Sequence, residues 1–193
     1  MGWMVTRTRP AEERRADLLA AGRELFLAKG IAATSLDDIT RAAGVSKGLF
    51  YLYFHAKEDL VLALQDQFSA EFAERIRVAA AMEEAWPAKL DACVQASFGY
   101  YRDLHDLHEV LYHHVPHEHV HEGPGLAAQA ICDILAAGQA AGAFDIEDPE
   151  LTAMLCYASM HAFAPDSHPG GERPEGRLVR AVQQLFRRAA GIT

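Results

Sequence analysis

The chain has little cysteine, little proline and no long apolar run, and each shortage closes off a class of protein. Its three cysteines, Cys93, Cys132 and Cys156, stand far apart with no CxxC pair, which leaves no disulfide framework of the kind secreted domains use. Each lies among apolar residues at a helical position, so buried reduced thiols and a reducing cytoplasmic location are expected, with redox sensing as the alternative. No stretch reaches the roughly 18 apolar residues of a membrane span, and the first residues lack the apolar segment of a secretory signal. HExxH, a glycine-rich phosphate loop and a nucleophile-base motif are all missing, so neither an enzyme nor a required cofactor is expected. No alternating strand pattern and no internal repeat occurs.

Basic residues are also scarce. Eighteen Lys and Arg face 27 Asp and Glu, for a net charge of -9. The deficit is uneven. Residues 1–60 hold nine basic and eight acidic side chains, whereas residues 61–193 hold nine and nineteen. The acidity therefore lies away from the amino-terminal segment, and any anionic partner of that segment is held by a few placed contacts with strong salt sensitivity.

Half of the 193 residues are hydrophobic, so core burial is not limiting. The most informative stretch is Thr34 to Leu60, TSLDDITRAAGVSKGLFYLYFHAKEDL. Ser35 with Asp38 forms a capping box at a helix start. Leu36, Ile39 and Ala43 share one helical face, and Gly44 takes the positive φ that ends the helix. Ser46 caps a second helix carrying Lys47, Gly48, Leu49, Phe50 and Tyr51. Two helices joined by a short glycine turn match a helix-turn-helix, whose second helix enters the major groove of a duplex. Lys47 supplies a cation for phosphate or a guanine edge, and Gly48 removes a side chain where backbone must approach. Tyr51, Tyr53 and His55 add donors, while Phe50 and Phe54 are expected to grip the helix from behind.

Gly30, Thr34, Ala43-Gly44-Val45-Ser46, Gly48-Leu49-Phe50-Tyr51-Leu52-Tyr53-Phe54 and Lys57-Glu58-Asp59-Leu60 together resemble the DNA-binding domain of the TetR family of bacterial transcriptional regulators. The resemblance runs from about Arg14 to Leu64. It implies an all-α protein: a three-helix helix-turn-helix domain over residues 1–56, then a helical effector-binding and dimerisation domain over 57–193. It further implies a homodimer that binds a palindromic double-stranded operator, usually as a repressor, and that a small-molecule effector releases. The helix from Lys57 would carry the coupling. By position, Thr34, Lys47, Tyr51 and Lys57 match phosphate contacts, and Ser46, Gly48 and Tyr53 match approaches to bases or backbone. With Ser35 and His55 these complete the candidate DNA-binding set. Leu52 departs from the polar or aromatic residue often found at its place and suggests contact with a thymine methyl group instead.

The rest of the chain reads as further helices. The first runs from Pro10 to Lys29 with the stripe Leu18, Ala21, Gly22, Leu25 and Phe26. A long helix starts at Lys57. Trp86-Pro87 marks a break, and a helix is expected from Ala88 to about Tyr112. Others are expected over 126–142, from Pro149 to about Phe163, and over 177–190. Met154, Leu155, Ala158 and His161, with Val182 and Leu185, suggest a surface that pairs with a second copy.

Seven of the ten histidines fall between His105 and His121, interleaved with acidic residues. His113, His117, His119 and His121 could ligate zinc, nickel or copper, which makes a metal-responsive regulator the alternative; a solvated loop is the plainer reading. For the effector, Trp86, Phe98, Tyr101, His105, His108, Leu111, Tyr112 and Met160 offer aromatic walls with a few polar groups, suited to a partly polar hydrophobic molecule.

Overall fold

The computed structural model describes residues 10–113, 125–161 and 175–192, and among these all regular structure is helical. The chain divides into two compact units. The first holds residues up to Asp66 together with Asp106 onward to the end of that described stretch; the second holds Gln67–His105 and the described remainder.

In the first unit, α1 (Ala11–Lys29) starts behind Pro10 and stops at Gly30, whose φ of 79° is the left-handed conformation a non-glycine residue resists. Glu12 and Glu13 sit in its first turn and Lys29 in its last, each sign matched to the helix dipole. Then come α2 (Leu36–Ala42), the four-residue α3 (Lys47–Phe50) and the first ten residues of α4 (Lys57–Ala81). Leu18, Phe26, Ile39, Phe50, Phe54, Leu60 and Leu64 form one buried core. Gly22 explains how closely α1 lies on α4: a Cβ there would overlap the side chain of Leu60.

The same unit includes most of α6 (His105–His108) and a π-helical turn, Glu109–His113. Here the structure departs from the expected continuous helix. Leu104 leaves helical geometry at φ -124°, ending α5, and the chain restarts as α6 before widening into the π-helical turn. Wider turns arise where a side chain satisfies a backbone group in place of the ordinary ladder. Gln65 does so, its Nε2 donating to the Leu111 carbonyl at 2.7 Å, and the Tyr112 hydroxyl returns a bond to the Gln65 carbonyl at 3.3 Å.

In the second unit, α5 (Trp86–Asp103) begins two residues earlier than expected. Trp86-Pro87 is not a break but the first turn, where proline needs no N–H partner and its fixed φ is already helical. Tyr100 is fully buried, stacked on Phe72 at 5.0 Å and donating its hydroxyl to the Phe68 carbonyl at 2.9 Å. α7 (Leu126–Ala140), α8 (Pro149–His161) and α9 (Glu175–Ala189) complete the unit. Asp91 on α5 and Arg187 on α9 form a two-pronged ion pair. Val182, expected on an exposed pairing surface, is instead buried in this unit's own core, as is Phe186 one turn on. Cys93 and Cys156 are buried and Cys132 half-buried, all three free. Burial pushes the Cys93 and Cys156 thiols up to about 12, so neither supplies the thiolate that redox chemistry requires.

Candidate nucleic-acid interface

The geometry of residues 34–57 follows from local signals. Ser35 and Asp38 make the reciprocal capping box: the Asp38 N–H donates to Ser35 Oγ at 3.2 Å, and the Ser35 N–H donates to Asp38 Oδ2 at 3.1 Å. At the far end of α2, the Gly44 N–H donates to the Arg41 carbonyl and the Val45 N–H to the Thr40 carbonyl, with Gly44 at φ 65°. This is a Schellman closure, and it redirects the chain within two residues. Ser46 then caps α3 by accepting from the Leu49 N–H at 3.2 Å.

α3 has one buried side and one open side. Phe50 and Phe54 are buried with ring centroids 5.5 Å apart, and the Arg15 guanidinium lies 5.4 Å from the Phe54 ring centre. Ser46, Lys47, Gly48, Tyr51, Leu52 and His55 are exposed, and Tyr53 is half-buried. Leu52 is 77% exposed, and nothing within the unit accounts for a leucine there. Tyr51 meets Phe50 edge-on at 5.7 Å, which steadies the ring while more than half of the residue stays exposed.

Two of the candidate contact residues carry bonds inside the unit. Thr34 is 1% exposed, and its hydroxyl donates to the Gly30 carbonyl at 2.8 Å. It satisfies an orphan carbonyl at the end of α1, so its hydroxyl is not presented to phosphate. Lys57 is half-buried and its Nζ donates to the carbonyls of Ile31 at 2.6 Å and Thr34 at 2.9 Å. That ammonium ties the α1–α2 connection to the start of α4, and two of its three protons are already committed. Ser35 is exposed, but its hydroxyl is engaged with Asp38.

Charge pairing inside this head is the feature that spacing did not reveal. Lys47 Nζ lies 2.5 Å from Asp37 Oδ1, both more than half exposed. Lys29 Nζ donates to Asp38 Oδ2 at 2.7 Å, and Arg41 stands 3.5 Å from the other oxygen of the same carboxylate. Hydrogen bonds from Lys29 and Ser35 hold the Asp38 carboxyl well below the usual carboxylate range. The hydrogen bond to Asp37 raises the Lys47 ammonium above its ordinary value. Asp37 and Lys47 are ten residues apart and come together only through the turn at Gly44, so no local rule flags them.

The other candidate residues divide between the two units. Trp86 packs edge-on against Phe144 at 5.6 Å with Lys89 Nζ 5.7 Å from the indole centre. Phe98 is half-buried, while Tyr101 and Met160 are buried in the second unit's core. His105 is half-buried in that unit. In the first unit Leu111 is fully buried, and His108 is buried with its ring stacked on Tyr112 at 4.9 Å. An open groove in the second unit, lined by Met82, Glu83, Asp91, Gln95 and Gln183 among others, contains none of the eight. His117, His119, His121 and the His113 side chain lie outside the described residues. Among the described residues no three His, Cys, Asp or Glu side chains are grouped to hold a metal. No described helix is long and apolar enough to cross a membrane.

Residues 18–64, which span this head, match the family described as bacterial regulatory proteins, tetR family. Over 85 residues the chain is 36% identical to the HTH-type transcriptional regulator TtgR of Pseudomonas putida, covering 44% of this chain and 40% of that one. The chain spans between 30% and 42% of the length of the curated relatives it matches first. Solved structures align over nearly the whole chain. A TetR/AcrR-family regulator from Thermobifida fusca superposes with a TM-score of 0.67 at 24% identity, over 90% of this chain and 96% of that one. FadR from Bacillus subtilis, solved with stearoyl-CoA, gives 0.67 at 20% identity over 92% and 99%. These likenesses show a common fold, and the head supplies the sequence signature. Residues 18–64 thus carry the signature of the bacterial regulatory proteins, tetR family, and the chain shares the fold of solved TetR-family regulators.

Proposed function

We propose that the protein is a sequence-specific transcriptional regulator that binds a palindromic duplex operator as a homodimer, represses from it, and is released by a small-molecule effector. The observation that carries the DNA-binding reading is the two-sided α3. Phe50 and Phe54 lock it to the core, while Ser46, Lys47, Gly48, Tyr51 and Leu52 stand outside with no structural task that accounts for all of them. An element so short is positioned by its neighbours rather than by its own helical propensity, as a reading element must be.

The dimer reading rests on α8. Leu151, Met154, Leu155 and Ala158 are exposed at helical spacing, an apolar stripe that water disfavours and a second copy would cover. Two heads related by a two-fold axis read a two-fold sequence. The effector reading is the least detailed. FadR of similar fold holds stearoyl-CoA, and a ligand of partly apolar character is proposed for this chain's helical second unit.

Selecting binding sites from random duplexes tests the reading. A consensus with inverted half-sites is expected, with the footprint lost in Lys47→Ala and Tyr51→Ala. Recovery of no preferred sequence, or footprints from both variants equal to the parent's, would overturn it.

A further inference from the structure

We infer that Asp37 is a restraint on DNA affinity: it holds Lys47 in an internal ion pair that duplex phosphates must displace, and so weakens binding to every duplex. The inference rests on the DNA-binding reading above and deepens it by naming what limits affinity.

Asp37 stands in the first turn of α2, and Lys47 opens α3. The pair bridges the two helices of the motif at 2.5 Å, with 52% and 58% of the respective side chains exposed. Both partners are thus accessible to a duplex docking on the open side of α3. The other cations nearby are committed within the head as well. Lys29 and Arg41 face Asp38, and Lys57 faces two carbonyls. Lys47 is the cation placed on the exposed reading helix itself, and it is the one held by a separate carboxylate.

An exposed ion pair is weak and exchanges readily, so the pair does not block binding. It has two effects on it. Lys47 must give up one anion to take another, which removes part of its gain from phosphate. The Asp37 carboxylate also stays near the duplex and repels it. Phosphate attraction is independent of sequence, so the restraint falls on every duplex alike. Contacts to base edges are left to decide where the protein stays. With the head close to neutral overall, one carboxylate is a large fraction of its electrostatic pull.

Replacing Asp37 by Asn keeps the shape and removes the charge. Binding to the selected operator and to a scrambled duplex is measured by fluorescence anisotropy from about 0.05 to 0.3 M salt, for the parent, Asp37→Asn, Lys47→Ala and the double variant. Thermal melting confirms that each is folded. Asp37→Asn is expected to bind both duplexes more tightly, by about five-fold at 0.1 M salt, the upper end of what an exposed pair is worth. The slope of log affinity against log salt is expected to steepen by up to about 0.9, because the interface carries one negative charge fewer. In the Lys47→Ala background the same replacement is expected to lose most of its gain.

A folded Asp37→Asn protein that binds no more tightly than the parent overturns the inference while leaving the DNA-binding reading intact. A gain that persists undiminished without Lys47 overturns it too, since the carboxylate would then act on the duplex alone. A parent that prefers no duplex sequence overturns the DNA-binding reading first, and this inference with it.

Discussion

Lys57 Nζ reaches back across 26 residues to the carbonyl of Ile31 and across 23 to that of Thr34. The residue that opens α4 therefore holds the loop that opens α2. Both carbonyls lie in a connection with no regular ladder; the Ile31 carbonyl also accepts a turn bond from the Thr34 N–H at 3.2 Å, and the ammonium adds a charged donor to each. Lys57→Met keeps the alkyl stem and removes the donor. Hydrogen bonds to charged groups contribute about 1.5–3 kcal/mol each when partly buried. Because this side chain is only half-buried, a total loss of about 1–2 kcal/mol is expected in urea titration. Unchanged stability combined with weakened DNA binding would return Lys57 to the phosphate-contact role.

Thr34 supplies a paired case. Its hydroxyl is buried on the Gly30 carbonyl, so Thr34→Val leaves that carbonyl short of a partner at nearly constant shape. A loss of about 1 kcal/mol is expected, with Thr34→Ser recovering most of it. A Thr34→Val protein of parental stability that loses operator affinity would show that the hydroxyl does turn outward to DNA.

How much of this was legible in the chain depends on the range of the interaction. The capping box at Ser35, the left-handed Gly44 and the Ser46 cap are decided within four residues, and the sequence signals for them hold. Phe50 and Phe54 behind α3 follow from spacing alone. What spacing misses is settled by tertiary approach. Thr34 and Lys57 look like surface donors until the end of α1 and the start of α4 meet around them. Asp37 and Lys47 are each ordinary until the glycine turn brings them together. The same holds for Val182, whose apolar character marks an interior face as readily as an exposed one. Leu104 carries no breaker signal at all; its departure from the helix accompanies Gln65 bonding to the turn that follows.

Asp38 makes the stability of the head depend on pH in one direction. Its folded-state value is depressed by Lys29 and Ser35, so the contribution is complete above the ordinary aspartate value of 3.8 and declines as pH falls toward the lower folded value. The exposed setting of the pair keeps the effect small. Melting temperature followed from pH 6 to about pH 2 should fall less steeply for Asp38→Asn than for the parent below pH 4. At neutral pH the variant should be the less stable of the two. Superimposable profiles would mean that Lys29 and Ser35 do not hold the carboxylate in solution.

Leu52 makes a prediction about DNA rather than protein. A leucine 77% exposed on the reading helix has no hydrogen bond to offer, and the feature of the major groove it fits is the thymine methyl. Replacing thymines of the selected operator one at a time by deoxyuridine removes single methyl groups. One position per half-site is expected to weaken binding by about three-fold or more, the loss of one apolar contact of about 0.8 kcal/mol. Leu52→Ala should be indifferent to that replacement. Equal sensitivity in parent and variant would assign the methyl to another side chain.

The apolar stripe on α8 decides whether two heads act together. Leu155 is 64% exposed, and Leu151 and Met154 flank it at helical spacing. A charge placed there costs little in a monomer, because the site is already open to water. In a closed dimer it would be buried against an apolar partner, which costs several kcal/mol for an uncompensated ion. Leu155→Glu is therefore expected to fold normally by circular dichroism, to sediment at half the parental mass, and to lose most of its operator affinity while a single half-site still competes weakly. A variant that still sediments as a dimer would move the interface off this face of α8, and the two-fold operator would need a different origin.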